Sequence, residues 1–165
     1  MKRTTKLFSL LLITVLICGC KQDNWLDWKL QNELWLINNA KQADVKTTYT
    51  GLQYKCIEKG WEGSTRPDNA KTVTITYTGK FINGYLFEST YNNEQGKDIP
   101  ATMSVSGLVS GFAEGLKMMN QFGIYEFYIP YYLGYGEVAR GTEGASFFIP
   151  PYTTLIFRVE LHRIN

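Results

Sequence analysis

The 165-residue chain is 44% hydrophobic, 15% aromatic and 19% charged, enough for one compact domain with a core and too ordered in composition for a disordered or collagen-like chain. Its 17 basic and 15 acidic residues leave a formal charge of +2, far from a polybasic nucleic-acid binder, so no nucleic-acid partner is expected. One histidine, His162, is present, which argues against histidine-based dyads, triads and metal sites. There is no Gly-Lys-Ser/Thr phosphate loop and no Gly-x-Gly-x-x-Gly run, so neither a metal nor an organic cofactor is expected.

Lys2, Arg3 and Lys6 precede an apolar run over residues 7–17. That run is too short to span a bilayer, which takes about 20 helical residues, and it has the form of an export signal. Its end, Ile17-Cys18-Gly19-Cys20, resembles the bacterial lipobox. By that resemblance residues 1–19 are a lipoprotein signal peptide, and Cys20 becomes the lipidated first residue of a protein held at the bacterial cell-envelope membrane, facing periplasm or cell surface. An ordinary secretory signal is the alternative. Losing three basic residues leaves fourteen against fifteen acidic, a formal charge of −1. Cys56 would then be the only free thiol, which precludes an intrachain disulfide; it lies in an alternating stretch and is expected to be a small buried strand residue.

Residues 20–45 are expected to form the lipid anchor and a Trp-rich helical segment. Over 25–42 there is no Pro or Gly, and Leu26, Leu30, Leu34 and Ile37 share one face at helical spacing while Trp25, Trp28, Trp35 and Leu36 share nearly the opposite one. An ordinary surface helix has one apolar stripe. One face is expected to pack on the domain while the other meets headgroups, a partner or a second copy in a dimer, and tryptophans close behind an anchor suit the interfacial role; packing of both faces on the protein's own fold is the alternative.

From Tyr49 the helical period gives way to short alternating runs. Strands are expected over 51–58, 72–81, 85–89, 102–105, 123–129 and 154–162, with an Asn83-Gly84 hairpin signal, a single short helix over 112–119 and a Gly-rich connection before the last strand. That makes an α+β domain, an antiparallel sheet with one helix against it.

Several fragments carry more than periodicity: Thr76-Tyr77-Thr78-Gly79, Gly84-Tyr85-Leu86-Phe87-Glu88-Ser89-Thr90, Val109-Ser110-Gly111-Phe112-Ala113-Glu114-Gly115-Leu116, Leu133-Gly134-Tyr135-Gly136, and the run from Ile149-Pro150-Pro151 to Val159-Glu160-Leu161. In identity, order and spacing they resemble the FKBP-type peptidyl-prolyl cis-trans isomerases, over about residues 46–165. The resemblance implies a curved antiparallel sheet wrapped around one short helix, preceded here by the N-terminal helix. It also implies an isomerase of X-Pro bonds in proline-containing exported polypeptides, working in an apolar pocket without a cofactor.

Position by position, the resemblance implies pocket roles for Tyr77, Phe87 and Phe157, and a hydrogen-bond donor in Tyr135. Leu108 and Val109 match the aliphatic pair entering the helix, where a backbone N–H binds a substrate carbonyl; Ile149 matches the flap, and Met103 falls where the family often has phenylalanine. Two positions depart from the family pattern. Phe112 stands for the usual tryptophan floor, and Glu88 for the usual aspartate, its carboxylate one methylene further out. Both are expected to slow the enzyme. The other readings are a catalytically weak FKBP-like chaperone or peptide-binding envelope lipoprotein, and a structural lipoprotein with no ligand.

Overall fold

In a computed structural model of the protein, residues 24–91, 98–145 and 147–165 are described. The expected signal peptide and Cys20 lie outside them.

Helix α1 spans Asn24–Asn39, ending three residues before the expected boundary. It is free of helix breakers, and Asp27 in its first turn complements the helix dipole. Its two apolar faces meet different surroundings. Trp25 packs on Phe148 (ring centroids 6.0 Å apart), Trp28 on Phe81 (6.5 Å) and Trp35 on Tyr128 (5.7 Å). Leu26, Leu30, Leu34 and Ile37 are instead 49–64% exposed. The expectation of interfacial tryptophans is thus reversed: the indoles are spent on the protein's own sheet, and the aliphatic stripe faces outward. Polar clips fix this orientation. Trp28 Nε1 donates to Thr153 Oγ1 (2.9 Å), the backbone N–H of Thr154 donates to Asn32 Oδ1 (2.7 Å), and Asn39 Nδ2 donates to Gln53 Oε1 (2.9 Å). Asn32, Asn39 and Gln53 are all buried, and each pays for its burial with a hydrogen bond.

The main sheet runs β1 (Lys46–Thr47), β2 (Gln53–Glu58), β6 (Ile124–Ile129), β9 (Leu155–Ile164), β3 (Thr72–Lys80), β4 (Leu86–Ser89), with β5 (Ala101–Ser104) also on β3. Every pairing is antiparallel. Strand β3 holds β5 along its first half and β4 along its second, so the sheet curls at that edge. Helix α2 (Ser110–Met118) fills the concave side. Leu155, Phe157, Val159 and Leu161 alternate inward along β9 and are buried, the period of two that an antiparallel strand with one core face requires. Tyr128, on the other face of β6, is buried as well because Trp35 covers it.

The six expected strands and α2 begin and end within two residues of their expected positions, and the two-residue β1 is an addition to them. At the Asn83-Gly84 signal the chain turns with Gly84 at φ +85° and with Asn83 Oδ1 accepting the Tyr85 N–H at 3.0 Å. Two further short strands, β7 (Arg140–Gly141) and β8 (Phe148–Ile149), pair within the Gly-rich connection before the last strand. Cys56 corrects another expectation: it is exposed, because β2 leaves the shelter of the core along its length, from buried Gln53 to exposed Glu58.

Candidate functional site

A hollow of about 230 Å³ opens between α2 and the curled sheet, lined by Tyr77, Glu88, Met103, Gly107, Leu108, Val109, Phe112, Tyr135 and Phe157. Strands β3, β4, β5 and β9, the turn entering α2, α2 itself and the loop after Leu133 each contribute. The floor is aromatic. Phe112 lies 4.7 Å from Phe157 and meets Phe127 edge-on at 6.2 Å, while Tyr77 stands edge-on to both Phe112 (6.1 Å) and Phe157 (5.9 Å). Phe112, Phe157 and Tyr77 are buried, so their positions are set by packing on all sides. A benzyl ring at 112 therefore still closes the floor, with less area than the expected indole.

Eight residues singled out from the sequence meet in this hollow: Tyr77, Glu88, Met103, Leu108, Val109, Phe112, Tyr135 and Phe157. Phe87 and Ile149 stand behind it. Phe87 is wedged between Phe81 (4.9 Å, stacked) and Phe157 (5.6 Å, edge-on), and Ile149 is buried in the core. Phe87 supports the floor from the rear. Gly79 makes that possible: a Cβ there would lie 2.6 Å from Phe87 Cζ and 2.9 Å from Phe157 Cε1, so only a strand with no side chain lets both rings close over it. Gly107, Phe81 and Phe127 are contributors that the motifs did not single out.

Polar groups are few and directed. The Tyr77 hydroxyl donates to Glu88 Oε1 at 2.7 Å, so the longer carboxylate reaches the tyrosine. Burial pushes the Tyr77 phenol above its usual range, and the Glu88 hydrogen bond and charge push it further. Burial likewise raises Tyr135, with the Glu88 charge adding and Arg140 opposing; the Arg140 guanidinium lies 5.3 Å from the Tyr135 ring centre. Both phenols thus keep their protons and remain donors at neutral pH. Val109 is the N-cap of α2 and supplies no side-chain cap, so the first-turn N–H groups at the mouth lack the usual side-chain acceptor. Among the described residues no three His, Cys, Asp or Glu side chains are grouped to hold a metal. Such a site can strip water from an apolar segment and donate hydrogen bonds to its carbonyls; it presents no nucleophile.

Residues 63–162 match the pattern of the FKBP-type peptidyl-prolyl cis-trans isomerases. The chain belongs to that family. A probable FKBP-type peptidyl-prolyl cis-trans isomerase of Haemophilus influenzae is 40% identical over 126 residues, 76% of this chain and 48% of the relative. The outer membrane protein MIP of Legionella longbeachae is 35% identical over 133 residues, 81% of this chain and 52% of the relative. The crystal structure of FkpA from Escherichia coli superposes with a TM-score of 0.73 at 33% identity, covering 85% of this chain and 60% of that one. The chain thus spans about half the length of the curated relatives it matches. The curved sheet around one helix is the FKBP fold, with α1 added in front.

Proposed function

We propose that the protein is a peptidyl-prolyl cis-trans isomerase acting on X-Pro bonds of exported polypeptides, with residues 46–165 as its catalytic domain. The observation that carries this reading is the aromatic-floored hollow with its few, protonated donors. Rotation about an X-Pro bond faces a barrier of about 18–20 kcal/mol because amide resonance is lost in the twisted state. A twisted amide is less dipolar than a planar one, so a dry apolar floor destabilises the ground state more than the transition state. Phe112, Phe157 and Tyr77 supply that floor, with Phe87 behind them, and Met103 and Leu108 shape the rest of the binding surface, while Ile149 lies in the core behind it. The Tyr135 hydroxyl and the Val109 backbone N–H hold the flanking carbonyls, and Glu88 orients Tyr77. No step needs a cofactor.

The test is relaxation of a Leu-Pro or Phe-Pro peptide from cis to trans, catalysed by the full-length protein in detergent, beside the double variant Tyr135→Phe, Phe157→Ala. Acceleration that the variant loses is expected. Folded wild-type protein that leaves the uncatalysed rate unchanged would reject the enzyme and leave a peptide-binding FKBP-like chaperone.

We further infer attachment to the bacterial cell envelope through lipid on Cys20, with residues 1–19 removed as signal peptide. The lipobox-like ending Ile17-Cys18-Gly19-Cys20 and the name of the Legionella relative, an outer membrane protein, support it. Mass spectrometry of the membrane-extracted protein should find an acylated N-terminal Cys20.

A further inference from the structure

A second recess, larger than the isomerase hollow, lies where α1 crosses the sheet. It encloses about 460 Å³ between Trp25 and Trp28 of α1, Phe81 and Tyr85 around the β3–β4 turn, and Phe148 of β8. Its rings are fixed against one another: Trp25 on Phe148 at 6.0 Å, Trp28 edge-on to Phe81 at 6.5 Å, Phe81 stacked on Tyr85 at 5.6 Å. Asp27 is the only charged residue among those lining it. Among the described residues, the ion pair within α1 joins Lys29 to Glu33 and leaves Asp27 unpaired. Complementing the helix dipole accounts for an acidic residue in the first turn, but not for aromatic walls around it. Aromatic faces attract cations through their quadrupole, and a carboxylate adds direct charge complementarity. The occupant such a recess fits is a long apolar stem ending in a positive charge, which describes a lysine or arginine side chain.

The recess also backs onto the isomerase hollow through a run of packed rings. Phe81, its inner wall, stacks on Phe87 at 4.9 Å, and Phe87 meets the hollow's Phe157 at 5.6 Å. Two ring-to-ring steps of this size correspond to about three or four residues of extended chain. We propose that the recess is a second subsite for the client polypeptide, taking a basic side chain three or four residues from the proline held in the hollow. The register rests on the isomerase reading; the affinity for a basic peptide does not.

The experiment uses the full-length protein in detergent and labelled decapeptides with a central Leu-Pro and Lys, Leu or Glu three or four residues to either side. Binding is read by fluorescence anisotropy and turnover by cis-trans relaxation. The Lys peptide is expected to bind about fivefold more tightly than the Leu peptide, and the Glu peptide more weakly than either. Asp27→Asn should remove the Lys preference and Asp27→Lys should reverse it, while a tetrapeptide too short to reach the recess is turned over equally by all three proteins. Equal binding of the three decapeptides, a preference for Leu over Lys, or a Lys preference that survives Asp27→Asn would each overturn the proposal. Decapeptides with Ala in place of Pro separate the two claims. A charge preference that persists with no isomerisation of any peptide keeps the subsite and rejects the isomerase, and isomerisation without charge preference does the reverse.

Discussion

Tyr77 and Glu88 shape the hollow and bear on stability together. The Glu88 carboxylate meets the phenol at 2.7 Å, so the extra methylene relative to the usual aspartate is absorbed with the hydrogen bond made. Tyr77→Phe removes the donor and leaves an exposed carboxylate that water can solvate, so the loss should be about 1 kcal/mol near neutral pH. Its pH dependence follows from the raised Tyr77 value. In the unfolded chain the phenol ionises near its ordinary value of about 10, while in the folded protein it still holds its proton. The tyrosine's contribution is therefore complete below about pH 10 and declines as pH climbs above that value toward the folded one. Urea unfolding of wild type and Tyr77→Phe between pH 7 and 11 should show a constant difference up to about pH 9 that shrinks beyond pH 10. A difference that widens with pH would contradict the burial of this phenol. At this scale the motifs named most of the hollow's lining, but they did not separate rings on its floor from rings behind it. Alternation along β4 turns Phe87 and Glu88 to opposite faces, and the register shift between Gly79 and Lys80 is visible only in three dimensions. Phe87 falls behind the lining for that reason, and Ile149 because β8 turns it into the core.

Helix α1 shows what periodicity leaves undetermined. Two stripes were legible on its wheel, and nothing in a wheel says which stripe has a partner. Partners decided it. The indoles bury more area than leucines and carry an N–H that needs an acceptor, and Thr153 supplies one to Trp28. Of the two buried amides that hold the helix, Asn32 and Asn39, Asn32 accepts from the Thr154 N–H with one end and donates to the Trp28 carbonyl with the other. Asn32→Ala would strand the Thr154 N–H inside the protein, a loss of about 1–3 kcal/mol. The neighbouring Thr154 hydroxyl is buried with no partner among the described residues. Thr154→Val keeps the shape and deletes the orphan, so it should stabilise by about 1 kcal/mol, a rise of about 3 °C in Tm. Calorimetry on the two variants checks both signs, and destabilisation by Thr154→Val would mean that the hydroxyl is satisfied after all. Strands were easier to read than this helix because β-branched and aromatic residues alternate strictly along them. Cys56 is exposed although it sits in an alternating run, because alternation alone does not reveal that β2 runs out of the core.

On the whole molecule, α1 carries an exposed aliphatic stripe along one side. If Cys20 carries the lipid, residues 21–23 separate it from Asn24, and no residue spans more than about 3.6 Å. The start of α1 is therefore held at headgroup level, and the helix has Leu26, Leu30, Leu34 and Ile37 exposed on the side away from the sheet. No helix among the described residues is long and apolar enough to cross a membrane; lying in the interface would let α1 bury that stripe in lipid. An aliphatic side chain fully removed from water contributes about 1.5–3 kcal/mol, and four of them, each half buried already, would orient a tethered domain rather than merely retain it. The expected result is specific to position. In a Cys56→Ser background, an environment-sensitive fluorophore on Leu30→Cys should shift to the blue when the lipoprotein is reconstituted into vesicles, whereas the same label on Lys80→Cys, an exposed residue at the end of β3, should stay water-like. Serine at Leu26, Leu34 and Ile37 together should abolish the Leu30 shift while leaving turnover of a short X-Pro peptide unchanged, since none of these residues touches the hollow. A blue-shifted Leu30 label in detergent, accompanied by a dimer in sedimentation, would show instead that a second copy covers the stripe, and the orienting role of the membrane would fall.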